Sequence, residues 1–243
     1  MTAPTRSLAG IGLALLVAGA LTACATPVSP GSGSTSAGTP SPSATADADI
    51  DLEAAWLDNG RMIALVTQGS STCVPTAGEV AYANGVLDVE LVDPAADTPC
   101  TRDFAPRVTL VGLPEGVDPT QSLEVRVTGE GYAGDTDLDG VAGLDPSGET
   151  DYLPSAGWLD DGRFVILTWG SSGCPPVLEK TEATGPAEVT VTFATPPADR
   201  ACTMDMAPRA TLAAVEGLDE ETGAVAILVG DEFADARVDI IGD

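Results

Sequence analysis

Apolar residues recur along this chain with the period of a strand. Leu87, Val89 and Leu91 alternate with Val86, Asp88 and Glu90, and Glu188-Val-Thr-Val-Thr-Phe193 alternates in the same way. Period two places one set of side chains on a core and the other in water, so both stretches predict half-buried strands. Leu123-Glu-Val-Arg-Val127 and Val225-Ala-Ile-Leu-Val229 read as further strands. Asn84-Gly85 lies between two such runs, and so do Asn59-Gly60 and Asp161-Gly162. Asn-Gly and Asp-Gly tolerate the positive φ that both central positions of a type I′ turn require, so each predicts a two-residue hairpin. No run of ten or more residues beyond the N-terminal segment carries a helical period. The expectation is an all-β protein of six or seven short strands per repeat, built as a sandwich rather than a barrel.

The repeat is visible in the residues themselves. Trp56-Leu-Asp-Asn-Gly-Arg61, Gly69-Ser-Ser-Thr-Cys73 and Cys100-Thr-Arg-Asp-Phe-Ala-Pro-Arg107 return as Trp158-Leu-Asp-Asp-Gly-Arg163, Gly170-Ser-Ser-Gly-Cys174 and Cys202-Thr-Met-Asp-Met-Ala-Pro-Arg209. A fixed offset of about a hundred residues marks one unit copied once. The predicted organisation is two tandem homologous β-sandwich-like modules at 49–140 and 154–243, separated by a linker at 141–153. A signal peptide at 1–23 and a Ser/Thr/Pro/Gly tether at 24–48 precede them.

Arg6, the apolar run Leu8 to Leu21 and the closing Leu21-Thr-Ala-Cys24 form a cleavable signal. The closing tetrapeptide resembles the lipobox of bacterial lipoproteins. That resemblance implies a diacylglyceryl group on Cys24 and attachment to the extracytoplasmic face of the cell membrane. The apolar run is shorter than the roughly 20 residues of a spanning helix. The tether has nothing with which to build a core and predicts a flexible coil of about 25 to 30 Å.

Besides Cys24 there are four cysteines, one equivalent pair in each repeat. Three pairings are possible, and duplication favours Cys73 with Cys100 and Cys174 with Cys202. Modules of about ninety residues bury only a modest fraction of their surface, so a covalent staple is useful, and export permits one. With no histidine and no Cys-x-x-Cys spacing, the common zinc sites have no ligand set. The formal charge of −27 repels nucleic acid and anionic lipid headgroups.

Three groups of residues are candidates for chemistry. Asp135, Asp137, Asp139 and Gly140 open like a calcium loop, although Pro146 stands where the closing Glu belongs; the other reading is a solvated acidic linker. Asp103 with Arg107, and Asp205 with Arg209, fit either a carboxylate clamp facing a ligand or a bridge within each module that pins the segment after the disulfide. Trp56 and Trp158 fit the core. Trp169 stands opposite Gln68 of the first copy and is a candidate docking anchor. No catalytic residues are assigned, because Ser70, Ser71, Ser171 and Ser172 have no histidine to activate them.

Taken together, Gly-Ser-Ser-x-Cys-x-Pro and the downstream Cys-Thr-x-Asp-x-Ala-Pro-Arg resemble a module of uncharacterised exported proteins and lipoproteins of high-GC Gram-positive bacteria. The likeness runs over about 54–128 and about 156–229. It implies a small disulfide-bonded β domain outside the cell and brings no catalytic residues with it. The functional expectation is a lipid-anchored binding protein with no cofactor, whose partner is an envelope ligand or protein. A carboxylate-dependent hydrolase of envelope glycans and a calcium-dependent surface adhesin are the alternatives.

Overall fold

The computed structural model describes residues 50–160, 162–218 and 223–242. The expected signal peptide, Cys24 and the expected tether lie outside the described residues, as do Asp161 of the second predicted hairpin and Asp219. The described chain is all-β, with no α-helix. Its first seven strands are β1 (Glu53–Leu57), β2 (Met62–Gly69), β3 (Thr76–Ala83), β4 (Val86–Val92), β5 (Ala105–Gly112), β6 (Leu123–Gly129) and β7 (Tyr132–Leu138). The next seven are β8 (Ser155–Trp158), β9 (Arg163–Gly170), β10 (Leu178–Gly185), β11 (Glu188–Phe193), β12 (Ala207–Ala214), β13 (Val225–Gly230) and β14 (Phe233–Ile241).

The second seven strands pair as the first seven do. β1-β2-β5 form one sheet and β3-β4-β6-β7 another, and the orders β8-β9-β12 and β10-β11-β13-β14 repeat them. In the second half a short parallel pairing, Ile240 with Ala156 and Ile241 with Gly157, joins the two groups into one seven-stranded sheet. In the first half the corresponding corner is closed by a side chain. Trp56 Nε1 donates to the Asp139 carbonyl at 2.8 Å.

Three buried clusters separate four stacked layers. Trp56, Ile63 and Leu65 pack against Leu87, Val89, Val125 and Val127. Trp158, Phe164 and Ile166 pack against Val189, Val191, Ala226 and Leu228. Between these lies a third cluster, in which Ala64 and Val66 meet Val165 and Leu167. Alternate residues of β2 therefore enter different cores, and so do those of β9. A strand covered on both faces has no polar face, which explains the unbroken apolar runs at 63–66 and 164–167.

β1 and β8 approach each other running in opposite directions. The Asp58 amide donates to Ser155 Oγ at 2.9 Å, while Arg163 pairs with Glu53. Glu53 lies opposite Val66, toward the disulfide end of β2, whereas Arg163 begins β9 beside its hairpin. The two disulfide ends accordingly point away from each other.

One expectation is corrected here. Asn84-Gly85 makes a two-residue turn, with Ala83 opposite Val86. The first hairpin does not: Leu57 lies opposite Met62, and the loop holds Asp58, Asn59 and Gly60 in succession at φ 48°, 55° and 83°. The extra residues have a purpose, because this loop grips the connector. Asn59 Nδ2 donates to the Asp145 carbonyl (2.8 Å), Arg61 Nη2 to the Ser147 carbonyl (3.0 Å) and Thr150 Oγ1 to Asp58 Oδ1 (3.0 Å). Residues 141–153 are thereby held against the first hairpin, and Val141 and Leu144 pack on the first core.

Candidate functional site

The end of β2, the start of β5 and the start of β7 meet at Arg107. Its Nη1 donates to the Cys73 carbonyl at 2.7 Å, and its Nη2 donates to the Gln68 carbonyl at 3.2 Å and to the Tyr132 hydroxyl at 3.1 Å. Tyr132 in turn donates to Asp93 Oδ1 at 2.6 Å. Burial, followed by the bond to Asp93, pushes the Tyr132 hydroxyl above the ordinary phenol range, while Arg107 pulls it down. Only 8% of Arg107 is exposed, and its planar head lies against Gly69. A Cβ on Gly69 would sit 2.4 Å from Arg107 Cζ, and one on Gly170 would sit 2.8 Å from Arg209 Cζ. The glycine that opens each Gly-Ser-Ser motif is thus the seat of the arginine that closes each Ala-Pro-Arg motif.

Asp103 and Asp205 do different work. Asp103 accepts from the Ser71 amide at 3.2 Å and from the Thr101 hydroxyl; Asp205 accepts from the Ser172 amide at 3.1 Å and from Thr203. Ser70 and Ser171 reach the same threonines, at 2.9 and 2.8 Å. The serine and threonine bonds hold each fully exposed carboxyl down at a pKa of about 2. Each aspartate therefore braces the two loops that its disulfide joins, Cys73 to Cys100 or Cys174 to Cys202. The expected bridge from aspartate to arginine within each motif is not formed. Arg107 reaches Asp93 through Tyr132, and Arg209 pairs directly with Glu232.

The remaining candidates are dispersed. Trp169 is half-buried, edge-on to Tyr152 with ring centroids 5.1 Å apart. Asp135 and Asp137 lie on β7 and not in a loop. Strand geometry spaces them roughly 7 Å apart on one face instead of wrapping them around an ion. Among the described residues no group of three or more Cys, Asp or Glu side chains stands close enough to hold a metal. At the seam between the halves, Glu53, Asp137, Asp139 and Asp160 line a polar cavity of about 150 Å³. Ordinary ligand pockets begin near 300 Å³.

Several open cavities are larger, among them one of about 530 Å³ beside Arg61 and another over Arg107. The cavity over Arg107 holds about 550 Å³ and is walled by Phe104, Tyr132 and Gln68 with Asp51, Asp93 and Glu130. Phe104 is 80% exposed. The ladders identify the equivalent positions in the second half. Leu91 and Phe193 pair with Gly129 and Gly230, so Asp93 corresponds to Thr195; the closing pairs Gly129 with Tyr132 and Gly230 with Phe233 match Tyr132 to Phe233. Glu53 and Ser155 lie opposite Val66 and Leu167, which matches Asp51 to Leu153 and Ile50 to Tyr152. Trp169 and Tyr152 thus stand where the first half has Gln68 and Ile50.

Sequence reasoning found Arg107 but missed Asp51, Asp93, Phe104, Glu130 and Tyr132. A position-by-position comparison of the repeats would have flagged Tyr132 against Phe233, since a hydroxyl appears in one copy of an otherwise apolar site. No family model, no curated protein and no solved structure matches this chain.

Proposed function

We propose that this chain is a membrane-anchored extracytoplasmic lipoprotein, held by a lipid on Cys24, whose duplicated β module serves binding and not catalysis. Of its two modules, 49–140 carries the ligand site and 154–243 carries a filled copy of it. The observation behind this reading is the open cavity over Arg107, set in a body stapled by two disulfides. A rigid frame of this kind holds lining groups in place before a ligand arrives, which lowers the ordering cost of binding. The chain has no histidine for a serine or cysteine triad, which favours recognition over acyl-transfer chemistry at this site.

The test uses the second half as the template. Gln68→Trp places in the cavity the residue found at the equivalent position of β9. Immobilised full chain is exposed to envelope extract, and whatever the native protein retains should be lost from Gln68→Trp. Equal retention by both proteins would overturn the reading. Anchoring is tested separately: Cys24→Ala should release the protein from the membrane fraction, and continued membrane association would refute the lipid.

A further inference from the structure

Resting on that reading, we infer that the cavity over Arg107 takes an organic cation, a primary ammonium or guanidinium carried on an apolar stem of a few carbons. Three carboxylates line it, from Asp51, Asp93 and Glu130, together with a single basic side chain. That side chain is buried, and both of its Nη groups are already hydrogen-bonded. The Arg107 guanidinium donates to the carbonyls of Cys73 and Gln68 and, through Tyr132, reaches Asp93. An entering anion would meet the remaining carboxylates and the −27 field of the whole chain, both of which attract a cation. The carboxylates do not converge closely enough to form a metal site. They therefore suit a cationic group that brings its own apolar stem better than a bare metal ion. The exposed ring of Phe104 supplies an apolar and cation–π surface for the stem.

The second half provides an internal comparison. At the positions of Asp51, Asp93, Gln68 and Tyr132 it has Leu153, Thr195, Trp169 and Phe233, so charge is replaced by apolar or neutral groups and the small amide by an indole. Glu232 sits directly on Arg209. Glu130 is matched by Asp231, because each follows the glycine of its closing pair, so of the three lining carboxylates Asp51 and Asp93 belong to the first copy alone.

The experiment is calorimetric titration of the full chain at low salt with N-acetyl-lysine methylamide. Comparison probes are its uncharged norleucine counterpart, cadaverine, and N-acetyl-glutamate methylamide. The lysine derivative should bind about tenfold more tightly than the norleucine derivative and weaken as salt is raised. Asp51→Asn and Glu130→Gln, both at exposed positions, should each lower its affinity about three- to fivefold, with Glu79→Gln on the distant β3 as an unaffected control. Cadaverine binding as well as the lysine derivative indicates a free-amine ligand; binding of the lysine derivative alone indicates a side chain of a peptide, and either supports a cation site. The inference is overturned if no cation binds, if the norleucine or glutamate derivative binds equally well, or if the two charge variants leave affinity unchanged. Failure here with retention still abolished by Gln68→Trp would leave the binding reading standing with a different ligand class.

Discussion

Gly69→Ala isolates the contact on which the site is built. Gly69 has no positive φ, so alanine suits its backbone and introduces no strain there. By restricting the unfolded chain the substitution would otherwise stabilise by about 0.4 to 1 kcal/mol. The new Cβ, however, would lie 2.4 Å from Arg107 Cζ, within the space the guanidinium occupies. The arginine must move, and it is 92% buried and held by the Cys73 and Gln68 carbonyls at 2.7 and 3.2 Å and by Tyr132 at 3.1 Å. Hydrogen bonds to a charged group contribute about 1.5 to 3 kcal/mol each. Loss of one or two of them, offset by the entropic gain, gives a net destabilisation of about 2 to 4 kcal/mol. For a fold of this size the melting temperature should fall by roughly 5 to 12 °C. Urea unfolding supplies the free energies. Arg107→Met removes the guanidinium and keeps the stem, so in that background Gly69→Ala should be neutral or slightly stabilising. A cost below about 0.5 kcal/mol in the native protein, or an equal cost in both backgrounds, would show that the glycine is not there to seat the arginine.

Other measurements probe the rest of the structure. Replacing both Cys73 and Cys100 with serine opens a loop of 27 residues and should cost about 3.5 kcal/mol in the chain-entropy picture, seen as a lower urea midpoint; an unchanged midpoint would refute the stapling role. Asp103 and Asp205 have folded pKa values of about 2, below the roughly 3.9 of an unperturbed aspartate. Their contribution to stability should be complete above about pH 4 and lost as the pH falls toward 2. Asp103→Asn with Asp205→Asn should flatten that part of the pH–stability curve, and carboxyl NMR titrations showing ordinary values would contradict the brace. Burial raises Glu53 and Asp58 instead, so their contribution is present at low pH and lost as the pH rises through their folded values; Glu53→Gln should reduce this opposing slope in urea melts between pH 4 and 7. Calcium should give neither heat nor a melting shift, because Asp135 and Asp137 lie along a strand. A shift of several degrees would restore the adhesin reading.

Much of this protein was written locally. Period-two alternation at 86–92 and 188–193 identifies strands because a side chain's face is set by its position parity alone, and Asn84-Gly85 turns where positive φ is cheap. The one-pair-per-repeat cysteines likewise announced Cys73–Cys100 and Cys174–Cys202, since a copied unit carries its own closure. What could not be read locally is anything that depends on which surfaces meet. The runs at 63–66 and 164–167 state that both faces of β2 and β9 are covered, but only the stacked layers show that each covers the other. The Asp and Arg of Asp-x-Ala-Pro-Arg are neighbours in sequence and bind elsewhere, because folding brings each of them backbone partners from chain 30 to 40 residues away. The cavity over Arg107 draws its walls from Asp51, Asp93, Phe104, and Glu130 with Tyr132, four separated stretches of the chain. A charge pattern scattered in this way has no period and no spacing, and becomes a site only when the sheets bring it together.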